Sequence, residues 1–325
     1  MIARVQQLAT LTLIFAALAW ALFFGVQGAF AVAACGTLLI LLGYALFLGL
    51  EFLLLAFFGA DLSVGRPSPA QLMSAWASEV LRAPLIFCWR QPFRSQSESD
   101  LTTALQPAQR GVIFVHGFFC NRGFWNPWMK TLRERGVPFI AVNLEPPFGS
   151  IGGYAGIIES AVERIEAATR HPPVIVAHSM GGLAVRAWLA GRARGHRPHR
   201  VITIGSPHWG TRLARFARTV NGLEMRSSST WIDLLASGET LADRARFTCF
   251  YGNCDNIVFP ASAATLSGAD NRHLPGTAHV QMAFHREVMR ELLRWLQPVP
   301  LLDPAGGTLA GAMESQRGSY SPGVQ

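Results

Sequence analysis

The stretch Val174-Ile175-Val176-Ala177-His178-Ser179-Met180-Gly181-Gly182-Leu183 constrains this chain more than any other. Apolar, β-favouring residues run straight into a serine flanked by small side chains, and a helix-forming run from Leu183 follows. This reads as a strand ending in a turn too sharp for bulky neighbours, with the serine hydroxyl exposed above a sheet. Small residues are needed on both sides because a strained serine brings the strand and helix backbones close together. The pattern is A-x-S-x-G, from Ala177 to Gly181.

From Gly111 onward, strand and helix signals alternate around this stretch. Val112 to Val115, Phe139 to Val142, Val174 to Val176, Val201 to Ile204 and Phe247 to Tyr251 are short apolar runs. Trp125 to Arg135, Tyr154 to Thr169 and Leu183 to Arg192 have helical character, and Val280 to Leu296 closes the series. Short apolar strands alternating with helices predict an α/β fold, a mostly parallel sheet with helices on both faces. Ligands of such sheets sit at the carboxyl ends of the strands. The turns that follow the strands are therefore where chemistry is to be sought.

The chain has 325 residues, 50% of them hydrophobic and only 15% charged, and most of the apolar excess lies before residue 61. Leu8 to Val26 carries no charge, and Ala29 to Ala60 is apolar except for Glu51. About 20 such residues span a bilayer, so residues 1–60 read as a transmembrane helical hairpin turning at Gln27-Gly28. A charge near mid-bilayer costs about 2.5 kcal/mol or more, so Glu51 limits the second span to Ala31 to Leu50. A cleaved signal peptide is disfavoured because a second apolar segment follows directly. Val32-Ala33-Ala34-Cys35 resembles a lipoprotein cleavage site, but the apolar residues after Cys35 argue against one. Arg4, Arg66, Arg82, Arg90 and Arg94 flank the spans while the turn is uncharged, which places both ends in the cytoplasm; a periplasmic domain is the alternative.

Residues 61–110 read as a connecting region. Leu72, Met73, Trp76, Val80 and Leu81 recur there at helical spacing, either as an interfacial amphipathic helix or as a helix packed on the domain that follows. Residues 298–325 are rich in Gly, Pro and Ser and read as a disordered tail. The net charge of +8 admits nucleic acid or anionic lipid. No basic run interleaved with aromatics and no nucleic-acid motif is present, which favours lipid. The five cysteines are scattered and show no C-x-x-C pair, so neither zinc nor a disulfide framework is indicated, although Cys249 and Cys254 could pair.

Four post-strand segments stand out: His116-Gly117-Phe118-Phe119, the Ser179 turn, Gly205-Ser206-Pro207-His208-Trp209-Gly210-Thr211, and Gly252-Asn253-Cys254-Asp255-Asn256-Ile257-Val258-Phe259-Pro260. Gly276-Thr277-Ala278-His279 then precedes the last helix. In this order, residues 110 to 297 resemble an α/β-hydrolase of the bacterial lipase/esterase type.

The resemblance implies an α/β-hydrolase catalytic domain over residues 111–297 and a catalytic triad of Ser179, Asp255 and His279. It implies an oxyanion hole from the backbone N–H groups of Phe118 and Met180. Asp233, Asp243 and Asp270 compete for the acid role, and His273 and His285, read as part of the closing helix, for the base. His116 and His178 are expected to be structural. Phe119, Trp125 and Trp209 are expected to line the substrate site, within a wider set including Phe118, Phe124, Trp128 and Phe148. Residues 212 to 240 stand where related enzymes insert a lid.

The implied function is a membrane-anchored serine hydrolase cleaving carboxylic esters of lipid or other apolar acyl groups at a bacterial inner membrane, with no cofactor. An acyltransferase or thioesterase with the same triad, or a non-catalytic membrane protein reusing the fold, remain as alternatives. Calcium-binding lipases carry an Asp two residues past the catalytic His; Gln281 stands there, so no metal is expected. The oligomeric state is left open. A chain lacking residues 1 to 60 is expected to retain hydrolysis of soluble esters, since all three triad residues come later.

Overall fold

The computed structural model describes residues 1–61, 63–103, 109–191 and 195–297. The expected tail from residue 298 lies outside them. Strands β1 (Val112–Val115), β2 (Phe139–Ala141), β3 (Val174–His178), β4 (Arg200–Ile204), β5 (Phe247–Tyr251) and β6 (Asp270–His273) form one sheet in the order β2-β1-β3-β4-β5-β6. Every neighbouring pair is parallel. Because successive side chains point to opposite faces, Ile113, Val115, Ile175 and Ala177 enter one apolar cluster, and Val112, Phe114, Val174 and Val176 enter the other.

Helices cover both clusters, as an all-parallel sheet requires. Ile158, Val162 and Ile165, one stripe of the Ala155–Thr169 helix, close the first with Leu183 and Val185 of the Met180–Ala190 helix. Met129 and Leu132 of the Asn126–Glu134 helix close the second with Val288 and Leu292 of the Arg286–Trp295 helix. The register sets Val115 opposite Ala177, His178 opposite Ile204 and Ile204 opposite Phe250. The turns after β1, β3, β4 and β5 therefore leave the sheet at one level.

Two elements differ from the sequence reading. Strand β6 was not expected: Asp270-Asn271-Arg272-His273 has no apolar pattern, because an outer strand can carry charges that deter further pairing. The closing helix is two helices, His279–Ala283 and Arg286–Trp295. His285 lies between them and caps the second, its Nδ1 accepting the Glu287 N–H at 3.3 Å.

Helices α1 (Ile2–Val26) and α2 (Phe30–Phe58) are each long and apolar enough to cross a membrane and pack together as a hairpin. Leu8, Phe15, Leu22, Leu39, Leu46 and Phe47 point outward, where a helix of a water-soluble protein would carry polar groups. Helix α3 (Pro69–Ala83) opens with a capping box between Ser68 and Gln71. It packs along α2: the Tyr44 hydroxyl donates to the Val80 carbonyl at 2.9 Å and the Trp76 indole to that of Ala45 at 3.0 Å.

The last turns of α2 belong to the core. Phe52 and Leu55 are buried with Ala75 of α3 and with Cys254, Phe259 and Ala278 from the turns above the sheet. Ala75 and Glu79 of α3 are buried on this side, while Met73 and Leu81 stay exposed. Removing residues 1 to 60 would uncover Cys254, Phe259 and Ala278. Phe52→Ala should lower the unfolding free energy of the full chain by about 3 kcal/mol, the usual cost of emptying a buried phenylalanine site. Chemical denaturation reads this directly, and an unchanged midpoint and slope would show that α2 docks without contributing to the core.

Candidate active site

Ser179 lies between β3 and the helix that starts at Met180, with φ 54° and ψ −129°. Residues with side chains rarely occupy that region, and it persists only where the surroundings enforce it. The Ser179 N–H donates to the Ile204 carbonyl at 2.9 Å, and the Ser179 carbonyl accepts the Gly182 N–H at 3.0 Å. A Cβ on Gly181 would lie 2.7 Å from the carbonyl oxygens of both Val115 and His116. The glycine thus lets the turn after β1 press against the serine turn. Met180 opens its helix, so its N–H is among the first-turn donors that lack an intrahelical acceptor.

Asp255 and His279 are buried together, with His279 Nδ1 2.9 Å from Asp255 Oδ1 and 3.0 Å from Oδ2. The carboxylate is fixed in turn, because Oδ1 accepts the N–H groups of Ile257 at 2.9 Å and Val258 at 2.8 Å. Gly205, at φ 55°, packs against this pair: a Cβ there would stand 2.9 Å from Asp255 Oδ2 and 3.0 Å from His279 Nδ1. Since Gly205 follows the residue that accepts the Ser179 N–H, one hydrogen bond and one close contact link the serine to the pair.

The competing acids and imidazoles lie elsewhere. Asp233 is on the Thr230–Ser237 helix, and Asp243 caps a short helix with Thr240 and pairs with Arg197. Asp270 and His273 are on β6, Asp270 pairing with Arg272 and His273 packing on Tyr251.

Burial alone would push His279 toward its neutral form. The charge and hydrogen bond of Asp255, helped by Glu79 and Glu51, outweigh that and hold the imidazole above its ordinary value of 6.5. Burial takes His116 down to about 4, and its neutral ring is fully used: Nδ1 donates to the Gly117 carbonyl and Nε2 accepts the Leu144 N–H at 3.0 Å. Burial and the nearby His279 charge also keep His178 neutral; its Nε2 donates to the His279 carbonyl at 3.3 Å, and its ring stacks on Phe124. Both histidines tie neighbouring turns together.

The structure gathers Phe118 and Phe119, from the turn after β1, and Phe148, from the segment after β2, into a half-exposed aromatic patch with centroids 5.8 to 6.5 Å apart. Trp125 is a correction: expected to line the substrate site, it is fully buried, stacked on Phe114 and edge-on to Trp128. A large flat ring following a buried strand finds more apolar contact in the core than at a rim. Trp209 packs against the Thr265 carbonyl through its indole N–H, beside Arg186 and Arg244.

A family model of alpha/beta hydrolases matches residues 112–306. The chain belongs to the alpha/beta hydrolase family. Its fold is similar to the mature form of a lipase from Bacillus licheniformis, BlEst2, with a TM-score of 0.53 at 16% identity over 60% of this chain and 94% of that one. The propeptide form of BlEst2 matches with a TM-score of 0.52 at 17% identity over 59% of this chain and 52% of that one, so the chain spans about half its length. Lipase B of Aspergillus fumigatus matches with a TM-score of 0.48 at 20% identity, over 54% of this chain and 49% of that one. No curated protein matches.

Several residues that hold the turns of this alpha/beta hydrolase were not picked out in the sequence. Asn256 Oδ1 accepts the His279 N–H at 3.4 Å while its Nδ2 donates to Glu51 at 2.6 Å, and Glu79 accepts the Gln281 N–H at 2.8 Å. Gln6 of α1 donates to the Phe119 carbonyl at 3.0 Å and accepts from Asn121 at 3.2 Å. The signal that existed was Glu51, the lone acid in an apolar run.

If His279 is the base, it works only when neutral, and a raised value leaves it protonated to a higher pH than usual. The acid limb of kcat/KM should therefore lie above pH 6.5, with activity lost as pH falls through it. An acid limb well below that pH would contradict the arrangement around His279. Gly205→Ala should separate Asp255 from His279 and cost about a hundredfold in kcat, the scale of a misplacement near 1 Å.

Proposed function

We propose that this alpha/beta hydrolase cleaves carboxylic esters of lipids or similar apolar acyl groups, with Ser179 as nucleophile, His279 as base and Asp255 as its orienting acid. The observation that carries the reading is the buried Asp255–His279 pair, packed against Gly205 beside the strained Ser179 turn. The Ser179 proton passes to His279 Nε2 as Oγ bonds to the ester carbonyl carbon, and Asp255 stabilises the resulting imidazolium. The backbone N–H groups of Phe118 and Met180 receive the oxyanion. When the C–O bond breaks, the alcohol leaves with the proton from His279. Water, deprotonated by His279, then releases the acid and restores Ser179.

The apolar substrate class is supported by the position of the Phe118, Phe119 and Phe148 patch. The turn after β1 is bonded to the first turns of α1 through Gln6, and the Met1 ammonium pairs with Glu145 of the segment after β2 at 2.6 Å. If α1 and α2 cross a bilayer, the patch lies where the hairpin leaves it, at the level where aromatic rings settle. The flanking arginines favour a cytoplasmic domain at a bacterial inner membrane. An anchor of this kind raises the effective concentration of the site at the lipid surface.

Ser179→Ala should abolish ester hydrolysis, by about a millionfold in turnover, while the protein stays folded. Asp255→Asn and His279→Ala should each be crippling, and His273→Ala and His285→Ala mild. Fluorophosphonate labelling of another serine, with Ser179→Ala still active, would remove the assignment. A strong calcium chelator should leave activity intact, because Gln281 spends its side chain on the Ala278 N–H at 3.2 Å. Protease should spare the domain in spheroplasts and digest it in inverted vesicles; the reverse pattern would place it in the periplasm.

A further inference from the structure

We infer that Glu51 of α2 and Glu79 of α3 are positioning residues for His279, so that helices from outside the sheet domain complete the active site. The inference rests on the reading of His279 as the base. His279 begins a five-residue helix, and the amides of a first helical turn have no intrahelical acceptor. Each acceptor here is a side chain. Gln281 serves the Ala278 N–H, Asn256 the His279 N–H at 3.4 Å, and Glu79 the Gln281 N–H at 2.8 Å. Asn256 is the longer and weaker hold, and a carboxamide is free to swing unless its own donor is engaged. Glu51 engages it at 2.6 Å.

The cost of placing these acids argues for a specific role. Glu51 and Glu79 are 6% and 2% exposed, and among the described residues neither pairs with a lysine or arginine. Buried carboxylates without a cation are unfavourable, and apolar replacements for such groups are often neutral or stabilising. Packing alone would be served by leucine. The groups that face His279 are Asp255, Glu51, Glu79 and the neutral His178. The charge they surround is the imidazolium that forms on His279 during each turnover. Hydrogen-bond acceptors are then preorganised around the turn on which positive charge develops.

The test uses the full chain with 4-nitrophenyl butyrate, and kcat is expressed per active site titrated to completion with a fluorophosphonate. Glu79→Leu and Glu51→Leu should lose about a hundredfold in kcat with KM nearly unchanged. Glu79→Gln and Glu51→Gln, which retain an acceptor oxygen, should restore most of it. Should a leucine variant fail to fold, Asn256→Ala removes the acceptor for His279 without adding bulk and should show the same kcat loss. Fewer titratable sites with an unchanged kcat per site would mean a structural role only and overturn the inference. His279→Ala separates the two levels. Its inactivity beside fully active glutamate and Asn256 variants overturns the positioning role alone, whereas an active His279→Ala removes the base assignment and this inference with it.

Discussion

A parallel sheet covered by helices on both faces has no room for polar chemistry along its strands. Val112 to Val115 and Val174 to Ala177 are wholly buried, and their side chains are committed alternately to two apolar clusters. What remains is the edge where strands end and the backbone must turn. Because β1, β3, β4 and β5 end in register, their turns are delivered to one place. The strain at Ser179 is tolerable there: its N–H and carbonyl are bonded on either side, and Gly181, two residues on, is small enough for the turn after β1 to close against it.

The second constraint is electrostatic. An imidazole and a carboxylate buried 2.9 Å apart are stable only if the remaining lone pairs and donors are satisfied. Ile257 and Val258 satisfy Asp255, while Asn256 and the neighbouring His178 hold the His279 backbone. Cys254 and Ala278, beside Asp255 and His279 in sequence, lie against Phe52 and Leu55. The dry environment that strengthens the pair is thus partly built by α2.

How far the sequence disclosed this follows from the range of the interactions. The sheet was legible because alternation and helical spacing are local, and the Ser179 turn because its geometry demands small neighbours. Asp255 and His279, which the structure pairs, were singled out by post-strand position and the family resemblance. Strand β6 was not: its residues satisfy an outer edge with charges and carry no strand pattern. Trp125 was misplaced because an aromatic residue after a strand looks the same whether it faces a cleft or the core. The break at His285 was hidden by continuous apolar spacing on both sides of it. Glu51 was visible as an anomaly, yet its partner, Asn256, lies 205 residues away, a distance no local pattern bridges.

The polar residues of the N-terminal helices carry the last step of the argument. An apolar hairpin that served only as an anchor would have no use for Gln6 or Glu51, each of which costs free energy in an apolar setting. Both sit at the end of the hairpin that meets the sheet domain. Gln6 holds the Phe119 carbonyl and Asn121 on the turn after β1, while Glu51 reaches Asn256 beside Asp255. Gln91 adds a further tie, accepting the Asn121 N–H at 2.7 Å. The loop proposed to hold the oxyanion and the turn that carries the proposed base are thus bonded to different N-terminal helices. Those helices are themselves packed together, so a shift of the hairpin would be felt on both sides of Ser179 at once. Residues 1–60 are separable from the hydrolase domain by composition and continuous with it by contact.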